Sequence, residues 1–226
     1  MGLFTNALPF SLLAWGQQQV TSSFAGVSMA VVPLLVLPLS HFLVPGERMT
    51  RAKVAGFAVG FAGVFLLVGG DSLLGDGGTE PSLFLAQIAC VGASCCYAIG
   101  SIVTRLCPPI PTQSFATTGL LLGAAMLIPT ALLFEGLPQT ASLPAVAGVI
   151  YLALFPTAAA TILLTVLIKR AGPPFLSLVN YQVPVWAVII GAAILLEPLP
   201  GHFLIALMVI LAGLALSQFY DRWRHG

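Results

Sequence analysis

VPLLVLPLSHFLVPGERMT at residues 32–50 and VPVWAVIIGAAILLEPLP at residues 183–200 decide the fold of this chain, because they are two copies of one pattern. In each copy a proline opens an apolar run, a glutamate ends it, and an Ala-Gly pair and a leucine follow. From the glutamate onward the spacing is identical, whereas the distance from proline to glutamate differs by one residue (Pro33, Glu47, Ala62, Gly63 and Leu66; Pro184, Glu197, Ala212, Gly213 and Leu216). The repeat is weak by identity, and its meaning depends on what lies between the copies.

The composition places the chain in a membrane. Hydrophobic residues make up 58% of it and charged residues 7%, with a mean hydropathy of +1.04, whereas a soluble domain carries about 25% charged residues. The net charge is only +1, and no basic stripe is available for a phosphate backbone, so nucleic acid is not an expected partner. The expected surroundings are a lipid bilayer.

Apolar runs long enough to cross a bilayer succeed one another along the chain. About 20 helical residues span the hydrocarbon, and the runs are continuously apolar, without the alternation of lipid-facing strands. The fold class is therefore an all-α polytopic membrane protein with about eight transmembrane helices, or seven if the short first run does not span. The predicted spans are 3–16, 22–43, 53–70, 83–104, 115–134, 143–168, 174–196 and 201–220.

The charges fall on one side of this arrangement. Eight spans place every basic residue on the same face of the membrane: Arg48, Arg51, Lys53, Arg105, Lys169, Arg170, Arg222 and Arg224. The charged residues on the other face are all acidic. The positive-inside rule makes the basic face cytoplasmic, which predicts a multi-pass protein of the cytoplasmic membrane with a cytoplasmic C-terminus. Five spans separate the two copies of the repeat. An odd number inverts the second copy, as in many secondary transporters.

Three stretches resemble the EamA-type transporters of the drug/metabolite transporter superfamily. They are NALPF…AW at residues 6–15, VPL…PGERMT…GFAGV at residues 32–64 and VNYQVPV…LEP…LAG at residues 179–213. The resemblance implies ten helices in two inverted five-helix repeats, of which this chain holds about eight. We expect a partial first repeat of three helices at 1–70, an extracytoplasmic linker at 71–82, a complete second repeat at 83–220 and a cytoplasmic tail at 221–226. The chain is then a fragment, which we favour, or a naturally shortened relative.

The resemblance implies a secondary transporter or exporter of small metabolites, amino-acid-like or drug-like, that works by alternating access. The alternative is a truncated, non-transporting membrane subunit that needs a partner chain, and a homodimer is one way to supply it. The chain has no metalloprotease, nucleophile-elbow or phosphate-loop pattern. We therefore expect no enzyme activity, no metal site and no cofactor.

Polar residues within the spans are the candidate solute ligands, because polar groups in a membrane are costly and often functional. Ser177, Asn180 and Tyr181 share a helical face ahead of Pro184, which can kink the helix and open a cavity. With Gln182 they form the first candidate set. The alternative reading of each is a hydrogen bond between helices.

A second candidate set lies on the span 83–104 and in the first repeat. Gln87, Ser94 and Tyr97 are candidates on that span, and Trp15 and Ser28 are candidates in the first repeat. Trp15 can instead be an interfacial anchor. His41 lies near the end of its span, and we favour interfacial packing over proton coupling for it. Gly56-x-x-x-Gly60 and Gly119-x-x-x-Gly123 predict close helix packing within the chain.

Overall fold

The computed structural model describes residues 2–74, 80–108, 110–134, 136, 142–159 and 173–225; the side chains described exclude 71–74, 112, 157–158, 173–181 and 218–225. The described residues form helices and loops without any strand. They make eight helical segments in the predicted order, which confirms an all-α polytopic fold. The segments are a π-helical turn Leu3–Ala7 continued by α1 (Leu8–Gly16), α2 (Ser22–Ser28) with α3 (Val31–Leu43), α4 (Arg51–Leu74), α5 (Pro81–Leu106), α6 (Thr112–Phe134), α7 (Leu143–Leu152) continued by π-helical Ala153–Ala159, α8 (Pro173–Ala193) and α9 (Gly201–His225).

The length and hydropathy of these helices fit a bilayer. Among the described residues four helices are long and apolar enough to cross it, and three further apolar helices are shorter. The long ones are Ser22–Leu43, Arg51–Gly70, Pro81–Leu106 and Gln113–Phe134; the shorter ones are Leu143–Pro156, Gln182–Ala193 and Gly201–Ser217. The chain is therefore a multi-pass membrane protein.

The span predicted as 22–43 is broken between α2 and α3. The break lies at residues 29–30, four and three positions before Pro33. A proline in a helix lacks the N–H that would bond to the carbonyl four residues back, and its ring clashes with that carbonyl. The equivalent Pro184 lies inside the continuous helix α8, so the two copies of the repeat differ here.

Helix α8 ends at Ala193, three residues before the predicted boundary. The Glu197 backbone N–H donates to the Gly191 carbonyl at 3.0 Å, and Leu196 lies in the left-handed region with a φ of 53°. Such a wrapped end is a common helix terminus, and the prolines at 198 and 200 cannot extend the helix. The turn sends Glu197 back towards the bundle.

Other predicted boundaries also differ from the structure, most of all around the predicted linker and tail. Helix α4 continues to Leu74 and α5 begins at Pro81, so both enter the segment predicted as the linker 71–82. Helix α9 continues beyond 220 to His225, through the predicted tail. The end of the predicted span 143–168 lies outside the described residues.

The last helices of the two halves, α4 and α9, make the most extensive helix contact among the described residues. A Cβ added to Gly213 would lie 2.4 Å from the Gly60 nitrogen and 2.6 Å from the Gly56 carbonyl oxygen. The backbones therefore touch, which confirms that Gly56-x-x-x-Gly60 packs within the chain. On α6, an added Cβ at Gly123 would meet Asn6, so the second glycine pair also packs internally.

We predict that Gly213→Ala lowers the stability of the protein by about 1–3 kcal/mol, because the new methyl group has no space between two backbones. Thermal unfolding in detergent micelles measures the effect. Gly148→Ala on α7 is the matched control, since nothing lies within 4 Å of a Cβ added there. Equal melting temperatures for the two variants would contradict the backbone contact.

Candidate functional site

The candidate site is a cavity of about 220 Å³ at the end of the bundle where Glu197 lies. Its wall combines the loop before α2, the first turns of α5 and the loop that leads into α9. Polar groups on this wall come from both halves of the chain, and apolar side chains such as Phe24 and Phe203 fill the space between them. The polar lining residues are Gln19, Thr21, Gln87 and His202.

Gln87 is the most unusual residue of this wall. Its side chain is 4% exposed, and Oε1 is one of two buried side-chain polar atoms, with Ser40 Oγ, that have no hydrogen-bond partner among the described residues. Leaving such a group unpaired costs about 1–3 kcal/mol. A group that donates a hydrogen bond to Oε1 would recover that cost, and Gln87 is the one of the described predicted site residues that lies in this cavity wall.

Glu197 closes the same end of the bundle through hydrogen bonds to α2. The Ser22 N–H donates to Oε1 at 2.7 Å, and the N–H and Oγ–H of Ser23 donate to Oε2 at 2.9 and 2.5 Å. Thr21 caps the same helix end, with its Oγ1 accepting from the Phe24 N–H at 3.2 Å. Partial desolvation alone would raise the pKa of Glu197, but the bonds from Ser23 and Ser22 lower it overall. The carboxylate is therefore held in its charged form at a helix N-terminus, where negative charge is favoured.

Ser28 and Ser94, predicted as solute ligands, lie together but bond to the protein. The Ser94 hydroxyl donates to the Ser28 carbonyl at 2.7 Å and is shared with the Cys90 carbonyl at 3.4 Å. The Ser28 hydroxyl donates to the Ala25 carbonyl at 2.7 Å. Both side chains have no exposed surface. The geometry favours the alternative reading, a hydrogen bond that joins α2 to α5.

The remaining predicted ligands are spread apart. Trp15 is half exposed and lines a separate groove of about 630 Å³ between α1 and α6, with Gln18 and Thr130. Tyr97 is partly buried on α5, and Gln182 is exposed on α8. The side chains of Ser177, Asn180 and Tyr181 lie outside the described residues, so the first candidate set stays a prediction.

His41 and Glu47 lie at the opposite end of the bundle. His41 is exposed, and its Nδ1 accepts a hydrogen bond from the Met49 N–H at 3.3 Å, which agrees with interfacial packing. Glu47 forms an ion pair with Arg105 at the end of α5.

The sequence identified Glu47 and Glu197 as markers of the repeat, but it did not predict the residues to which they bond. The Thr21-Ser22-Ser23 run before an apolar stretch was the available signal, since it is typical of a helix start.

Comparisons with known proteins agree with this architecture. Residues 1–69 and 84–219 match the model of the EamA-like transporter family. The chain is 29% identical over 200 residues to the uncharacterized inner membrane transporter YedA of Escherichia coli, covering 88% of this chain and 62% of YedA. It is 28% identical over 199 residues to the aromatic amino acid exporter YddG of Ancylobacter novellus, covering 88% of this chain and 67% of YddG.

A solved crystal structure also has the same fold. It aligns with a TM-score of 0.64 and 24% sequence identity, covering 98% of this chain and 74% of that one. The chain spans 62% of the length of the first curated relative, so only part of such a protein is represented here.

We predict that Ser94→Ala lowers stability by about 0.6–1.7 kcal/mol, the usual value of a hydrogen bond between membrane helices, without a specific effect on transport. Thermal unfolding measures the first quantity. Ser101→Ala on the same helix is the control, because that exposed hydroxyl bonds only to the Ala98 carbonyl of its own helix, at 2.7 Å. Unchanged stability combined with lost transport would instead make Ser94 a solute ligand.

Proposed function

The chain belongs to the EamA-like transporter family, and we propose that it forms part or all of a secondary transporter that moves a small metabolite across the cytoplasmic membrane. The observation that carries the proposal is the Gln87 side-chain oxygen, Oε1, which has no hydrogen-bond partner among the described residues and belongs to the wall of the cavity. A buried polar group without a partner is rare in a membrane protein unless it meets water or a ligand. The name of YddG makes aromatic amino acids the first solutes to test.

Alternating access is the proposed mechanism. The cavity wall combines residues before α2, in the first repeat, with residues after α8, in the second. Motion of one repeat against the other would therefore open or close the cavity. With the basic loops in the cytoplasm, Gln87 and Glu197 lie near the outer surface and the C-terminus lies inside. The proposed partners are the bilayer and the solute, with no cofactor and no enzyme activity.

A second candidate is a subunit that works only with a partner chain. Every described side chain of α7 and of the π-helical segment after it is exposed, including Leu143, Val149, Tyr151 and Phe155. An apolar surface of this kind can be covered by lipid, by a second copy or by another chain. A homodimer in mild detergent would favour this candidate.

We predict that Gln87→Met reduces transport of labelled phenylalanine into proteoliposomes by about tenfold, the loss of roughly one hydrogen bond to the solute. The melting temperature should stay the same or rise, because the change removes an unsatisfied buried group. Gln17→Met is the control, since Gln17 is exposed and is not part of the cavity wall. Equal transport by the two variants would remove Gln87 from the site.

We predict that Asn180→Ala and Tyr181→Phe also reduce transport while leaving the folded protein intact, as expected if they line the solute pathway ahead of Pro184. Uptake into proteoliposomes and circular dichroism of the same preparations measure the two quantities. Gln17→Ala, at an exposed position outside the cavity wall, is the control. Full transport by both variants would mean that Asn180 and Tyr181 form hydrogen bonds between helices and do not bind the solute.

A further inference from the structure

The hydrogen bonds of Glu197 join the two halves of the chain at one end of the bundle. The carboxylate belongs to the loop between α8 and α9, and its donors, Ser22 and Ser23, begin α2. One charged acceptor thus receives three short hydrogen bonds from residues about 175 positions away. Hydrogen bonds to a charged group are about twice as strong as neutral ones.

The surfaces beneath this contact fit closely. A Cβ added to Gly26 would lie 2.1 Å from the Ala187 Cβ, and one added to Gly191 would lie 2.0 Å from the Ser23 hydroxyl. Helices α2 and α8 therefore approach each other across small residues directly below Glu197. Leu196 turns the chain so that the Glu197 carboxylate points at α2. Its left-handed backbone conformation has a steric cost, because Leu196 is not a glycine. We call the contact between Glu197 and the start of α2 the clasp.

The equivalent glutamate at the other end of the bundle has a much weaker contact. Glu47 pairs with Arg105, and the two side chains are 33% and 53% exposed respectively. An exposed ion pair gains little, because water screens the charges and two long side chains must be ordered. The two glutamates are therefore held with unequal strength.

The sequence explains why Glu47 cannot form a second clasp. When the repeats are aligned on Pro33 and Pro184, Ser22 and Ser23 fall opposite Pro173 and Pro174. Both serines donate a backbone N–H to Glu197, whereas a proline has no N–H to donate. The inverted copy therefore lacks the donors that Glu47 would need.

We propose that the clasp is the gate on the Glu197 end and that it biases the resting protein towards a state closed at that end. The Glu47 end, where the equivalent glutamate is held by an exposed ion pair, opens more readily. The inference rests on the proposed transport function, to which it adds the gate and the direction of its bias. It also predicts that the two glutamates of the repeat are not interchangeable.

Distances between spin labels test the gate without any transport. In the full chain with its four cysteines replaced by alanine, one label pair at Gln18 and Leu195 reports on the Glu197 end. A second pair at Arg48 and Pro108 reports on the Glu47 end. All four positions are exposed. Pulsed electron resonance in nanodiscs gives the distance distribution of each pair.

Glu197→Gln should raise the ratio of open to closed forms at its own end by about tenfold or more, because one acceptor oxygen becomes a donor that faces other donors. Glu47→Gln is the matched control and should leave the Gln18–Leu195 distances unchanged. An unchanged distribution in Glu197→Gln, or an equal shift at that end in Glu47→Gln, would overturn the proposal.

Ser22→Pro keeps the test valid if Glu197→Gln does not fold. Position 173 of the second repeat, which aligns with Ser22, is a proline, so the variant gives both repeats the same residue at this place. Ser22 is the first residue of α2, and proline is well tolerated at the first position of a helix. The variant removes one donor to Glu197 and should open that end in the same direction, by a smaller factor. A protein that folds with wild-type distances would overturn the clasp. Shifted distances without transport of any solute would overturn the transport function alone.

Discussion

The structure depends on the absence of water inside the bilayer, because every polar group there must find a partner within the protein. Four of the five buried serines described obey this constraint: the hydroxyls of Ser28, Ser94 and Ser217 donate to backbone carbonyls, and Ser23 donates to a carboxylate. The two exceptions among the described residues are Ser40 Oγ and Gln87 Oε1, and of these two residues Gln87 lines the cavity. The same constraint that organises the helices thus separates residues that only hold them together from one that can meet a solute.

An inverted repeat places equivalent residues at both ends of a bundle, here Glu47 at one end and Glu197 at the other. The two ends differ in the groups that bond to these glutamates. Glu197 receives N–H groups from the start of α2, whereas Glu47 has only an exposed arginine. Glu197 and Glu47 occupy the same place in the repeat, so the protein distinguishes its ends by the donors opposite them.

Hydropathy predicted the order and number of helical segments in the described residues, because bilayer thickness fixes how long an apolar run must be. It could not predict where α8 ends, since residues 194–196 are as apolar as the helix and only the turn at Leu196 stops it. It also did not distinguish Ser94 from Gln87, which lie two turns apart on α5, because only the structure shows that Ser94 meets the Ser28 carbonyl of α2 while Gln87 Oε1 meets no partner among the described residues. Contacts of this kind, including that of Glu197 with α2, depend on the three-dimensional arrangement.

The glycine contact between α4 and α9 has a mechanical consequence. It joins the last helix of each repeat through backbone surfaces, with Gly56 and Gly60 against Gly213. Leu34 packs against Gly60 and Ile210 packs against Gly63 beside this contact, so the two helices are held along a shared length. A movement of one half of the chain against the other that separated this pair would open the core itself, whereas a movement that keeps the pair together leaves the core closed.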